Sequence, residues 1–311
     1  MLYPFFSKIA DSFKSAEDFV DVTIRLIPKH FTLDTYKYII LERSYFQAFA
    51  TTFAFSFGAA LIQTFICCLI GYGLAKFKFK GNKLVFLLVI LTMIIPHRTL
   101  QFSMYMHFRY FDIGGIMTFL SGGSSIGIEA IDNLFAQVKV LTMETPYVTL
   151  TNTPIPLLLL SLTGLGFKNG LYIFMLKQFF AGIPDELEES AYLDGAGTGR
   201  TFLQIIIPLS VPMMITVFLL AFCWQWTDVD YLGNYFYTPT KIMTLITTLT
   251  KETPESLRKI LEASGYAGKE QFQVAINNTC GILIVTPLVI LYLFCQKYLV
   301  QGIERTGLTA D

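Results

Sequence analysis

The sequence predicts an all-α polytopic membrane helix bundle, and three observations predict it. Apolar residues make up 53% of the 311-residue chain and charged residues only 15%, against about 25% charged in a soluble domain. Several apolar runs carry no charge over about 20 residues, the length that crosses ~30 Å of hydrocarbon at ~1.5 Å rise per residue. Lipid admits only helices or closed barrels, and these runs are too long and too continuously apolar for barrel strands.

The runs are taken in order. Residues 44–75, 84–96, 145–167, 201–227 and 272–296 hold no charged side chain. They predict five spans at about 48–75, 84–105, 154–180, 207–226 and 274–297. Lys76, Lys78, Lys80 and Lys83 lie between the first two spans with no acid among them. Basic short loops stay cytoplasmic, so this turn is expected inside. Residues 106–153 and 227–271 then fall outside, and 181–206 falls inside. The resulting organisation is an outside N-terminal segment 1–43, a transmembrane domain 44–302 with an outside insertion at about 112–150 and a cytoplasmic loop 181–208, and a cytoplasmic tail 303–311. The N-terminal segment carries six basic residues before Ser44, which pulls against its outside placement.

Composition excludes several classes. Lys+Arg and Asp+Glu are 23 each, a balance that argues against nucleic acid as partner. Three scattered histidines and no Cys/His cluster leave little from which to build a metal site, and none is expected. The five cysteines fall inside apolar runs and are expected as buried thiols. No nucleophile–base constellation and no phosphate-binding glycine loop is visible. The chain is therefore expected neither to be an enzyme nor to hold a cofactor.

The informative segment is Ile183-Pro-Asp-Glu-Leu-Glu-Glu-Ser-Ala-Tyr-Leu-Asp194-Gly195. Pro184 suits a first helical position, and Asp185 and Glu186 suit the positive end of the helix dipole. Leu187 and Ala191, four apart, share a face, and Gly195 and Gly197 end the helix. A second helix follows, expected to start at a Thr198 cap and to run through Ile205 and Ile206 to Pro208. On chemistry alone this pair is as well explained by an amphipathic helix lying at the headgroups.

The spacing goes further. Glu189-Ser190-Ala191, three residues, Gly195, nine residues, then Ile205-Ile206-Ile207-Pro208 resembles the EAA motif of ABC importer permeases, with Ser190 and Ile207 as size-conserving departures and Asp194 matching the usual Asp-Gly. The likeness is closest to the smaller-subunit branch of the maltose-type sugar permeases, the binding-protein-dependent inner membrane components. It extends through Tyr72 to Lys76, Ile95-Pro96, Phe174 to Phe180, Trp226-Thr227-Asp228 and Gln296 to Gly302. It implies the type I importer permease fold, and a first family helix of which Met1 to Phe6 would be the end. Residues Glu304 to Asp311 depart from that family's usual ending. The resemblance further implies a bacterial inner-membrane subunit carrying a sugar or oligosaccharide. Its partners would be a second homologous permease, a cytoplasmic ATPase dimer and an extracytoplasmic solute-binding protein. Glu189, Ser190, Ala191, Asp194, Gly195, Ile205 and Pro208 would couple the spans to the ATPase. A permease for a polyamine or a phosphonate shares the motif. A secondary transporter is a third reading, but would show internal repeats and buried acids.

Polar and aromatic groups in the spans supply candidates for the substrate path: Trp224, Gln225, Trp226, Asn277 and Asn278, with Gln63, Asn169 and Tyr231 as further polar or aromatic positions. The competing reading is an interfacial aromatic anchor for the tryptophans and helix–helix hydrogen bonding for the asparagines. Lys168 and Arg98 read as cations snorkelling to the outer headgroups.

Overall fold

The structure is a computed structural model. It describes residues 3–112 except 16, 19, 20, 22 and 25; 149–228 except 152; 244–249; and 270–307. Most of the 112–150 insertion, Tyr231 and the last four residues lie outside the described residues.

Among them the chain is helical, with no strand beyond an isolated bridge between Lys14 and Phe31. In order the helices are α1 Tyr3–Ser12, α2 Asp34–Glu42, α3 Tyr45–Lys76, α4 Asn82–Ile94, α5 His97–Arg109, α6 Ile155–Leu162, α7 Asn169–Ala181, α8 Asp185–Leu193, α9 Thr198–Trp226, α10 Leu245–Leu249 and α11 Glu270–Gly307. α3 is the hub: α6, α7, α9 and α10 all pack on it, while α11 packs on α9 and α1. Three helices are long and apolar enough to cross a membrane, or four if the bent pair α4–α5 is one span.

Two of the five expected spans are not continuous. The span at 84–105 turns by 105° between α4 and α5. Pro96 has no N–H to give, and proline forces the residue before it out of the helical region. Ile95 and Pro96 are accordingly both extended, at ψ 122° and 123°. The span at 154–180 is two helices. α6 ends with Gly164 at φ +73°, and the Leu165 N–H reaches back to the Leu160 carbonyl at 3.0 Å, a Schellman ending. Lys168, at φ +65°, is a second left-handed residue in the same break. The charge-free runs stop at both places, at Pro96 and Phe167, but apolar residues resume beyond each, so each pair reads as one span in the sequence.

α9 is one helix from the loop into the bundle, but not a regular one. Residues Phe202–Ile206 form a π turn, in which the Ile207 N–H reaches the Phe202 carbonyl. Pro208 and Pro212 follow within two turns, and each removes one donor from the ladder. A wider turn just upstream absorbs the mismatch.

The core runs along α3. Glycines set the close approaches: a Cβ at Gly71 would lie 3.0 Å from the Leu176 Cβ, and one at Gly170 only 2.3 Å from the Thr92 Oγ1. These two positions let α7 pack against both α3 and α4. Toward the Tyr45 end of the bundle two aromatic rows, four residues apart along each helix, interlock. Phe49, Phe53 and Phe57 of α3 meet Trp226, Phe222 and Phe218 of α9 at centroid separations of 5.4, 5.9 and 5.4 Å. Cys67, Cys68 and Cys280 are buried free thiols, as their apolar settings predicted, while Cys223 and Cys295 are half-buried.

The N-terminal segment is tied down locally. The buried Asp18 carboxylate accepts the backbone N–H groups of Lys29 and His30, each at 2.8 Å, and contacts the His30 ring at 2.8 Å. Arg43 donates to the Leu249 carbonyl at 2.7 Å and so pins the α2–α3 joint to α10.

Candidate functional site

α8 is nine residues long and stands where three helices of the bundle end together. Its start differs by one residue from the sequence expectation. Pro184 is the N-cap, extended at ψ 135°, and Asp185 is the first helical residue. Asp185, Glu186 and Glu188 crowd the first turn, where the unsatisfied N–H groups and the helix dipole favour negative charge. The far end is a complete Schellman motif. Gly195 sits at φ +79°, its N–H bonds the Tyr192 carbonyl at 3.0 Å, and the Ala196 N–H bonds the Ala191 carbonyl at 2.9 Å. Only glycine takes that backbone without a Cβ clash. Gly197 is then the N-cap of α9, and Thr198 is its first helical residue rather than its cap.

The face that α8 turns inward is not the one the spacing suggested. Ala191 is buried, but Leu187 is 42% exposed. Glu188, three residues before Ala191, is the second inward group at 7% exposure. It meets the last turn of α3: the Tyr72 hydroxyl donates to one carboxylate oxygen at 3.2 Å, and Lys76 Nζ lies 3.7 Å from the other. Lys76 also donates to the Ile183 carbonyl at 2.6 Å and to Asp185 at 2.5 Å. The Lys76 side chain is only 7% exposed, whereas Asp185 is 80% exposed. The hydrogen bond and charge of Lys76 hold the Asp185 carboxyl below its ordinary range. Lys76, Tyr72 and Glu188 are therefore what seats α8. Sequence reading placed Lys76 only in a basic turn and overlooked Glu188. The available signal was the pairing of the cation that ends one span, Lys76, with the acids that open α8.

Most of the motif's α8 residues face away from the bundle, while Ile206 on α9 is fully buried. Glu189, Ser190, Leu193 and Asp194 are exposed, Leu193 at 89%. Ser190 bonds its own helix, to the Glu186 carbonyl at 2.7 Å. Ile205 is half-buried inside the π turn, and Pro208 is exposed at the start of the regular part of α9. The result is a short helix fixed on one side by a buried ion pair and presenting a mixed acidic and apolar face on the other.

The expected path residues do not converge on one place. Trp226 is fully buried, donates its indole N–H to the Ile284 carbonyl at 3.0 Å, and packs between Phe49 and Phe222. It is a core residue rather than a headgroup anchor, and its ring also borders an apolar cavity shared with Phe49, Phe53 and Phe222. Gln225 is buried beside it, Asn277 is exposed and Asn278 half-buried on α11. Trp224 is 43% exposed and turns the other way, toward the α6–α7 break. Gln63 and Asn169 do come together there, around Gly166.

A hub helix of 32 residues, broken and bent companions, and a helix seated across the bundle's end define a multi-pass membrane helix bundle. Comparisons place it. The family model for the binding-protein-dependent transport system inner membrane component matches residues 67–305. The chain belongs to that family and is a multi-pass inner-membrane permease subunit. It is similar to the arabinooligosaccharides transport system permease protein AraQ of Bacillus subtilis, at 23% identity over 98% of this chain and 90% of that one. It resembles the polygalacturonan/rhamnogalacturonan transport system permease protein YtcP of the same organism, at 26% over 96% and 89%. The galactooligosaccharides permease GanQ, also from Bacillus subtilis, is 27% identical over 99% and 90%. Among solved structures, a bacterial ABC transporter involved in import of the acidic polysaccharide alginate matches with TM-score 0.64 over 96% of this chain and 90% of that chain, at 17% identity. That last likeness speaks to the fold.

Proposed function

We propose that the chain is one of two permease subunits of an ABC importer for an oligosaccharide. It works with a second permease, a pair of ATPase subunits and a solute-binding protein. The observation that carries the reading is the near full-length match to permeases named for oligosaccharide or polysaccharide transport, three of them between 23% and 27% identical.

In this reading α8 is the coupling helix. Its outward face, with Glu189, Ser190, Leu193 and Asp194, lies in a groove of one ATPase, the helix-in-groove mode of recognition. Closure of the ATPase pair on ATP pushes α8. Because Lys76 and Glu188 fasten α8 to α3, and the Gly195–Gly197 turn joins it to α9, the push reaches both long helices. The outcome is a rigid-body switch of the bundle. Gly195 supplies the left-handed turn that lets α8 cross the bundle end and α9 re-enter it. The end of the bundle carrying α8, Lys76 and Lys78 is the cytoplasmic one.

The test is ATPase activity of the chain assembled with its genomic neighbours, with and without binding protein loaded with candidate oligosaccharides. Stimulation by an oligosaccharide is the expected result. Assembly with stimulation only by a non-sugar solute, such as a polyamine, would overturn the carbohydrate reading.

A further inference from the structure

The break between α6 and α7 carries more chemistry than a joint needs. α7 runs from Asn169 to Ala181, so Lys168 lies about 20 Å along the axis from the α8 end of the bundle, at ~1.5 Å per residue. That is inside the ~30 Å hydrocarbon slab. Irregular backbone at this depth survives only where protein buries it or where it lines a polar cavity. A cation there is costly unless it is paired or faces such a cavity.

The Lys168 side chain turns onto aromatic rings. Its ammonium lies 5.0 Å from the centroid of the Trp224 ring and 5.3 Å from that of Phe167. His97 meets the other side of Phe167 edge-on at 4.9 Å. Among the described residues no carboxylate pairs with Lys168. Lys168 is half-buried, and two aromatic faces compensate the desolvation of a cation only in part.

Three further observations point the same way. Lys168 is the N-cap of a 13-residue helix, so the positive end of the α7 dipole opens at the break. Asn169 is 1% exposed, and both its side-chain Oδ1 and Nδ2 lack hydrogen-bond partners. Gln63, fully buried, gives its Nε2 to Ser161 Oγ at 3.3 Å and leaves its Oε1 without a partner. Gly166 lets the backbone of the break pack directly on these two amides, because a Cβ there would stand 2.8 Å from Gln63 Nε2 and 3.2 Å from Asn169 Nδ2. Discontinuous membrane helices with half-helix N-termini at such depth hold anionic groups of substrates.

We propose that the α6–α7 break is a recognition site for the carboxylate of an acidic, uronate-containing oligosaccharide. Lys168 supplies the cation, and Trp224 the ring that stacks on the sugar's C–H face. The proposal rests on the carbohydrate reading above and narrows it to acidic glycans.

The experiment uses the full importer in proteoliposomes with its binding protein. It compares uptake of trigalacturonate with that of its fully methyl-esterified, neutral form. The same binding protein serves every variant, so its own preference cancels in the comparison. Lys168→Gln is expected to lower the acid-to-ester uptake ratio by about tenfold or more, the scale of one lost charge-assisted hydrogen bond. Lys168→Arg, which keeps the charge, is expected to hold the ratio. An unchanged ratio in Lys168→Gln overturns the proposal. Loss of co-purification of the second permease in both variants also overturns it, since Lys168 would then pair with a neighbouring subunit. Transport of neutral glycans alone overturns it and leaves the carbohydrate reading standing. If no glycan of either kind stimulates the ATPase, the carbohydrate reading itself falls.

Discussion

Lys76→Met isolates the seat of α8. The substitution keeps the length of an apolar stem and deletes the ammonium. Three contacts are lost: to the Ile183 carbonyl at 2.6 Å, to Asp185 at 2.5 Å and to Glu188 at 3.7 Å. They are not equal. Asp185 is 80% exposed, and an exposed ion pair contributes about 0–1 kcal/mol. Glu188, with its side chain 10% exposed, is left as a buried carboxylate with only the Tyr72 hydroxyl. Removing one partner of a buried pair costs about 3–5 kcal/mol. The low end applies because Tyr72 still donates, which puts the loss near ~3 kcal/mol.

The loss falls on the docking of α8 and not on the whole bundle, because α3 keeps its packing against α7 and α9. Native-state hydrogen exchange reads that local opening directly. Amides of residues 187–196 in Lys76→Met should exchange roughly 100-fold faster, since each 1.4 kcal/mol is about tenfold. Amides in the middle of α3 should be unmoved. The double variant Lys76→Met/Glu188→Gln removes the stranded charge and should recover more than half of the lost protection, a coupling a double-mutant cycle measures. Unchanged exchange in the single variant, or a double variant no better than the single, would refute the claim that this pair seats the helix.

Further consequences are independent of that pair. Gly170→Ala places a Cβ 2.3 Å from Thr92 Oγ1 and 3.0 Å from the Val89 carbonyl, so it should cost about 1–3 kcal/mol by overpacking and lower the melting temperature in detergent. Gly73→Ala on α3 has nothing within 4 Å and serves as the matched control, gaining up to about 1 kcal/mol of helix propensity. Gly195→Ala forces a Cβ into the left-handed region at φ +79°, worth about 1–2 kcal/mol. It should reduce sugar-stimulated ATPase activity while insertion and expression stay normal. Trp226→Ala empties a fully buried site and should destabilise by about 3–5 kcal/mol, whereas Trp224→Ala, at a 43% exposed position, should leave the melting temperature almost unchanged. Asp185 has a folded pKa below its 3.8 reference. It therefore stabilises α8 docking above that value and loses the effect as pH falls through its lowered pKa. Exchange of α8 amides should accelerate in that acid window and be flat between about pH 5 and 8, and Asp185→Asn should remove the acid step.

How much of this was legible in the sequence depends on what each feature leaves in the residue string. The long spans α3, α9 and α11 were legible because charge-free length is a direct consequence of burial in lipid. α8 was legible because its boundaries are written in residue chemistry, with a proline, early acids and a terminal glycine. Its orientation was not. Nine residues with small, acidic and apolar side chains interleaved do not decide between Leu187 and Glu188 as the inward group, and only the position of Lys76 across the gap does. The two interrupted spans were hidden by averaging: Pro96, Gly164, Gly166 and Lys168 are single residues inside strongly apolar windows. The burial of Trp226 was not legible for a related reason. Two tryptophans two residues apart point to different sides of a helix, and hydropathy cannot say which side is the core.

The same geometry ties the coupling reading to the transport reading. α9 is unbroken from Thr198 beside α8 to Trp226, and Trp226 locks its far end to α11 through Ile284 and to α3 through Phe49. α8 is itself fastened to α3 by Lys76 and Glu188. α3 and α9 are thus joined at both ends, and under the proposed coupling a displacement delivered at α8 moves them as one body. α6 and α4 are different. Each is joined to its continuation by an irregular segment, at 163–168 and at 95–96, and Gly71 and Gly170 set the closest approaches of α7 to its neighbours. When the joined pair rocks, these irregular segments are where the backbone can change angle. One of them carries Lys168, Asn169 and the approach of Trp224. That joint is where the proposed substrate contact and a change of backbone angle would coincide.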